Sequence, residues 1–124
     1  MSFCTVINCM DGRTQLPVNR FLQERFGAEY VDTVTEAGPV RWLAEEQHSD
    51  TVASIIARVR VSTDKHGSNG VALVTHYDCA GNPLPRDDQM GQLERALALL
   101  RQEFPRVPVI GLWVDDRWAV HEIR

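Results

Sequence analysis

Short apolar runs alternate with longer segments of helical spacing along this chain, and that alternation restricts the fold more than any other feature. Four segments have the composition of strands: residues 2–8, 30–35, 71–75 and 107–114. Strands that alternate with helices favour an α/β fold, with a mostly parallel central sheet covered by helices on both faces. A turn at Asp115 and Asp116 then predicts a closing antiparallel edge strand over 118–121.

Proline, glycine and capping residues predict where the helices begin and end. Pro17 fits the first turn of the first helix, which Gly27 closes as a C-terminal cap. The second helical pattern, 42–59, contains Ser49 and Asp50, which predict either a kink or a new helix N-terminus. No repeat or linker interrupts the chain, so residues 1–124 are expected to form a single domain.

The charge and hydropathy of the chain exclude several classes of partner. Of its 124 residues, 44% are hydrophobic and 24% are charged, and the formal net charge is -4. Such a chain lacks the basic face that binding to nucleic acid or to an anionic membrane requires. Its apolar runs are too short to cross a bilayer. No basic segment typical of a signal peptide precedes the first strand, so we expect a cytoplasmic protein.

The chain contains three cysteines, an odd number that favours a metal or catalytic role over a disulfide framework. Cys4 lies within the first apolar run, where a free cysteine acts as a small buried hydrophobe. Cys9 and Cys79 lie instead among polar and turn-forming residues, directly after the first and third predicted strands. These two cysteines therefore need a different explanation.

The polar clusters that contain Cys9 and Cys79 meet if the first and third strands are neighbours. A strand order of 2-1-3 puts their carboxyl ends side by side where the winding reverses, which is where α/β sheets bind ligands. Cys9 then faces His76 and Cys79. Two thiolates and one imidazole suit zinc, and three protein ligands leave the open fourth position of a catalytic zinc. The combination predicts a zinc site, although His76 and Cys79 alone could be an accidental pair.

Asp11 and Arg13 follow Cys9 at intervals of two residues. Asp11 could accept a hydrogen bond from a zinc-bound water, while Arg13 holds the carboxylate through a bidentate pair. Two alternatives stay open. Asp11 could itself take the fourth zinc position, with a pH-dependent exchange between the two arrangements, or the pair could be a structural salt bridge that fixes the loop.

The remaining histidines and the aromatic residues have structural interpretations. The histidines in helix, loop and edge-strand contexts are expected to be surface or packing residues: His48, His66 and His121. The tryptophans are expected in the core or at an interface: Trp42, Trp113 and Trp118. Tyr77 is interpreted as a packing residue and Asp78 as a loop cap or a solvated side chain.

Two motifs of this chain resemble those of the β-class carbonic anhydrases. Residues 9–13, Cys-Met-Asp-Gly-Arg, are similar to the family's Cys-x-Asp-Ser-Arg, and residues 76–79, His-Tyr-Asp-Cys, are similar to its His-x-x-Cys. The similarity extends to Glu-Ala-Gly at 36–38, where the family commonly has Asn-Ala-Gly, and to the closing hairpin. The chain departs from the family pattern at Gly12, Glu36 and Ala80.

The resemblance implies a strand order of 2-1-3-4 with an antiparallel fifth strand and a bound Zn²⁺. It also implies a lyase of the carbonic anhydrase type, which interconverts carbon dioxide and bicarbonate by zinc-bound hydroxide, and assembly as a homodimer or a larger homo-oligomer. Two other functions stay open. The altered Glu36 and Ala80 are compatible with a zinc hydrolase of carbon disulfide or carbonyl sulfide. The chain also starts without the family's N-terminal helical arm, which is compatible with a non-catalytic zinc-binding structural or assembly homologue.

Overall fold

The computed structural model describes all residues, Met1–Arg124, and contains one five-stranded sheet in the order β2-β1-β3-β4-β5. The strands are β1 (Phe3–Cys9), β2 (Tyr30–Glu36), β3 (Val71–His76), β4 (Val109–Val114) and β5 (Val120–Ile123). The first four strands are parallel, and β5 pairs with β4 in the antiparallel direction. The predicted fold class, strand order and antiparallel edge are therefore confirmed.

Four helices connect the strands: α1 (Gly12–Phe26), α2 (Pro39–Glu45), α3 (Asp50–Lys65) and α4 (Arg86–Glu103). Ser49 begins a new helix, because its side chain accepts a hydrogen bond of 3.2 Å from the backbone N–H of Val52. Gly27 adopts the left-handed conformation and ends α1, as predicted. None of these helices combines the length and the apolar character that crossing a membrane requires.

Helix α1 begins earlier than its proline predicts. Pro17 lies inside the helix rather than in its first turn, because Asp11 caps the N-terminus five residues before the expected start. The Asp11 side chain accepts a 2.9 Å hydrogen bond from the backbone N–H of Arg13. The polar cluster after β1 is thus partly helical, and this fixes the orientation of Arg13.

The sheet separates two hydrophobic clusters. The larger cluster joins α2, α3 and α4 to one face of the sheet, and the smaller cluster joins α1 to the other face. Cys4 belongs to the smaller cluster and is fully buried, as predicted. All six residues of β3 and all six of β4 are buried, which explains their continuous apolar sequences.

The winding of the chain reverses between β1 and β3. These strands are parallel neighbours, with Thr5 opposite Val71 and Ile7 opposite Leu73. Cys9 and His76 are the last residues of the two strands. Both side chains therefore lie at the carboxyl edge of the sheet, at the point where an α/β fold opens a crevice.

A pair of leucines on α1 tests this placement of the core. Leu22 is fully buried, whereas Leu16 is 64% exposed. We expect Leu22→Ala to lower the free energy of unfolding by about 2 to 5 kcal/mol, because it leaves a cavity under the helix. Leu16→Ala should change it by less than about 0.5 kcal/mol. Urea unfolding measures both values, and an equal loss in the two variants would contradict the assignment of the buried face.

Candidate metal centre

Three metal-ligating side chains from two distant segments converge at the carboxyl edge of the sheet. The Sγ atoms of Cys9 and Cys79 are 3.9 Å apart, and the ligand atoms of Cys9, His76 and Cys79 all lie within 4.8 Å of one another. Two sulfur atoms bound at 2.3 Å to one tetrahedral zinc ion would be about 3.8 Å apart. The separation of the two sulfurs therefore suits a zinc ion between them.

The imidazole of His76 has one nitrogen free for a ligand. Its Nδ1 lies 2.7 Å from the backbone carbonyl oxygen of Tyr77 and donates a hydrogen bond to it. A neutral ring with its proton on Nδ1 carries its lone pair on Nε2. That Nε2 atom is buried and has no hydrogen-bond partner. An unpartnered lone pair beside two sulfur atoms is therefore available as a metal ligand.

The two cysteines compete for a proton. The hydrogen bond from the Cys79 thiol lowers the pKa of Cys9 well below that of a free thiol, and the backbone N–H groups of Gly38 and Asp11 act in the same direction. The same interaction with Cys9, together with burial, raises the pKa of Cys79. One thiolate thus forms readily, while a second thiolate requires a cation that offsets the negative charge of the pair.

Two glycines let the loops around the sulfur atoms pack backbone against backbone. A Cβ atom on Gly81 would lie 2.6 Å from the carbonyl carbon of Ala37 and 2.8 Å from the nitrogen of Gly38. This close approach aims the backbone N–H of Gly38 at Cys9 and that of Gly81 at Cys79. The loops after β2 and β3 therefore supply amide donors that favour both thiolates.

Asp11 is held by Arg13 and is outside the group of converging ligand atoms. Its Oδ1 accepts hydrogen bonds from the backbone N–H and Nε of Arg13 at 2.9 and 3.1 Å, and its Oδ2 accepts one from Nη2 at 2.7 Å. The hydrogen bonds from the Arg13 side chain lower the pKa of Asp11 to about 2. The carboxylate is thus ionised and turned towards the guanidinium.

Arg13 also contacts the loop after β3 and the β4–β5 hairpin. Its Nη1 donates to the carboxylate of Asp78 at 3.3 Å, and its Nη2 donates to the backbone oxygen of Asp78 at 3.2 Å. The guanidinium carbon lies 4.3 Å from the centre of the Trp118 ring. Asp78, interpreted above as a cap or a solvated residue, is an exposed ion-pair partner of Arg13.

The comparisons with known proteins agree with this geometry. A family model described as "Putative carbonic anhydrase" matches residues 1–124. The chain belongs to this carbonic anhydrase family. Among solved structures, the chain is similar to the b-carbonic anhydrase CafA of the fungal pathogen Aspergillus fumigatus, with a TM-score of 0.53 and 14% identity. That match covers 98% of this chain and 74% of the other, and it shows a shared fold. A search of curated proteins found no match.

Of the three departures of this carbonic anhydrase family member from the β-class motifs, only Glu36 has a local explanation. A Cβ atom at Gly12 would meet nothing within 4 Å, so the serine usual at this position would fit without displacing a neighbour. The Glu36 carboxylate pairs with Arg58 on α3 at 2.9 Å, which balances its charge. The structure gives no reason for Ala80.

Two glutamines that the sequence analysis did not single out support the metal-site loop of this family member. Gln89 donates to the backbone oxygen of His76 at 3.0 Å, and Gln92 accepts a hydrogen bond from Asn82 at 2.7 Å. Both glutamines are almost fully buried. They fall on the face of α4 that also carries Leu93, which predicts that they are buried. A buried amide needs a hydrogen-bond partner, so these positions pointed to a structural role.

The other histidines and two of the tryptophans lie in structural settings. His66 pairs with the carboxylate of Asp32 at 2.6 Å, and His121 pairs with that of Asp115 at 2.7 Å. His48 is exposed, and Tyr77 is half-exposed rather than packed. Trp42 packs against the larger cluster, and Trp113 is buried. Only Trp118 among the three tryptophans contacts Arg13.

Alanine substitution at two glycines tests the backbone contact around the thiols. Gly81→Ala should weaken zinc binding by about tenfold or more, because the new Cβ separates the two loops that donate to the sulfurs. Gly91→Ala is the matched control, since a Cβ at that position of α4 would meet no atom closer than 3.9 Å. Competition with a chelator measures both affinities. Equal affinities would show that the contact does not matter for metal binding.

Proposed function

We propose that this protein is a zinc-dependent carbonic anhydrase that interconverts carbon dioxide and bicarbonate, with residues 1–124 acting as a single zinc domain. The observation that carries the proposal is the buried, unpartnered Nε2 of His76 facing Cys9 and Cys79 at the reversal point of the sheet. Membership of the carbonic anhydrase family supports the choice of substrate.

The donor set fits zinc. Sulfur and nitrogen ligands in a tetrahedral arrangement are those that zinc prefers, and Cys9, His76 and Cys79 would hold it. Asp11 is engaged elsewhere, so these three side chains leave a fourth position for water or substrate. A zinc ion held in this way would act as a Lewis acid and make water a nucleophile near neutral pH.

In the proposed mechanism, Asp11 and Arg13 orient the nucleophile. The carboxylate of Asp11 is ionised, so that it accepts hydrogen bonds and donates none. Arg13 occupies most of its lone pairs through Nε and Nη2, which fixes the plane of the carboxylate. The remaining acceptor position can bind a hydrogen of the reacting water and direct its oxygen towards carbon dioxide. Arg13 is thus the residue that keeps Asp11 in this role.

We propose assembly as a homodimer or a larger homo-oligomer. Large apolar side chains lie exposed in the segments that follow β1 and β3: Met10, Tyr77 and Leu84 are 66%, 50% and 40% exposed. Large exposed apolar side chains are typical of a surface that a partner covers. A second copy of the chain would shield this edge of the sheet from water.

The metal content of variants tests the ligand assignment. Zinc-loaded wild type should contain about one zinc ion per chain, whereas Cys9→Ser and His76→Ala should contain almost none after dialysis. Cys4→Ala is the control, because Cys4 is a buried cysteine in the core cluster on the α1 side of the sheet. Elemental analysis measures the zinc. Full zinc content in His76→Ala would refute the proposed site.

Stopped-flow hydration of carbon dioxide between pH 7 and 9 tests the activity of the zinc-loaded protein. We expect Asp11→Asn to lower kcat/KM by about 100-fold, because the amide can no longer accept hydrogen bonds as a carboxylate does. Asp64→Asn, an exposed change on α3, should leave the rate unaltered. A wild-type rate equal to that of the buffer would contradict the proposal, and release of sulfide from carbonyl sulfide or carbon disulfide would favour the hydrolase instead.

A further inference from the structure

Two residues other than glycine have a positive φ, and both contact Arg13. These are Asp78, with φ of 56°, and Trp118, with φ of 62°. The left-handed conformation is uncommon for residues with a side chain and is least expected for a bulky one. Strained residues that persist in a fold tend to occur where the strained geometry has a use.

The strain at Trp118 comes from the hairpin between β4 and β5. The backbone N–H of Trp118 donates to the carbonyl of Asp115 at 3.0 Å, and the N–H of Asp115 donates to the carbonyl of Ala119 at 3.0 Å. Hairpin loops of this kind favour glycine at the left-handed position. The hairpin itself therefore gives no reason for a tryptophan, and the reason must lie in what the indole ring contacts.

The indole ring of Trp118 lies over the guanidinium of Arg13. The distance from the guanidinium carbon to the ring centre is 4.3 Å, within the range of a cation–π interaction. The edges of the same guanidinium bind the carboxylates of Asp11 and Asp78. Arg13 is thus held at its edges by two anions and on one face by an aromatic ring, although its side chain is 47% exposed.

We propose that Trp118 is a positioning residue of the metal centre. Its ring fixes the plane of the Arg13 guanidinium, which in turn keeps the Asp11 carboxylate bound to Arg13 rather than free to bind a zinc ion. If the ring is removed, Arg13 gains rotational freedom and Asp11 loses its fixed bidentate partner. A released carboxylate is itself a zinc ligand and can close the site. The catalytic consequence rests on the proposed function, whereas the restraint on Arg13 does not.

Substitutions at Trp118 separate the positioning role from packing, because the ring also contacts the smaller hydrophobic cluster. Trp118→Ala and Trp118→Gly both remove the ring. Glycine tolerates the left-handed backbone, so Trp118→Gly should have the higher melting temperature of the two. Trp118→Phe keeps an aromatic face for the guanidinium. Arg117→Ala, an exposed change in the same turn, is the control.

The direct readout is the Nε–H signal of Arg13 in nitrogen-15 NMR spectra, recorded on the metal-free and the zinc-loaded protein. We expect its hydrogen exchange to accelerate by about tenfold in both Trp118→Ala and Trp118→Gly, as the loss of a cation–π contact allows. It should stay within about twofold of wild type in Trp118→Phe and Arg117→Ala. An unchanged exchange rate in Trp118→Gly, or a rate that follows melting temperature rather than the presence of the ring, would overturn the proposal.

Kinetics supply the second readout. In the zinc-loaded enzyme, Trp118→Gly should lower kcat by about tenfold with little change in KM, because chains whose site Asp11 closes do not turn over, while the open chains bind substrate as before. Trp118→Phe should restore most of that loss. A wild type without hydration activity would refute the proposed function alone, since the exchange of Arg13 would still test the restraint. An unchanged kcat in Trp118→Gly, with wild type active, would overturn the positioning role.

Discussion

Two buried sulfur atoms and one imidazole nitrogen face each other at the carboxyl edge of the sheet, and the surrounding structure is arranged to keep them there. The Nε2 atom of His76 is buried beside both sulfurs without a hydrogen-bond partner. The backbone contact between Gly38 and Gly81 brings amide donors onto the sulfurs. Buried Gln89 on α4 holds the carbonyl of His76. The amide donors stabilise thiolates, which is the state that a cation requires, and Gln89 holds the backbone that carries the imidazole.

A second group of contacts surrounds the candidate metal centre on the side of α1. Asp11 caps that helix and pairs with Arg13, so the residue that starts the helix also fixes the orientation of the arginine. Asp78 and Trp118 then hold the guanidinium from the loop after β3 and from the hairpin. Three elements that are distant in sequence thereby determine whether one carboxylate faces the arginine or the metal position.

Local sequence signals account for most of the fold and for the residues of the candidate centre. Apolar runs predicted the strands, Gly27 predicted the end of α1, and Ser49 allowed the new helix that the structure shows. The start of α1 predicted from Pro17 was wrong. A proline indicates a first turn only when no stronger cap precedes it, and Asp11 is such a cap. The glutamines of α4 were overlooked although they fall on its apolar face, because their hydrogen-bond partners are known only from the structure.

The sequence by itself determined which side chains could bind a metal and that two strand ends would carry them, because hydrophobic periodicity and residue chemistry are local properties. Only the tertiary structure decided that Asp11 turns towards Arg13 and that Trp118, expected in a core or an interface, lies over the guanidinium. Both outcomes depend on contacts between elements that are distant in sequence. The sequence of the hairpin does not show what its tryptophan contacts, because the contact depends on the left-handed backbone that Trp118 adopts in the fold.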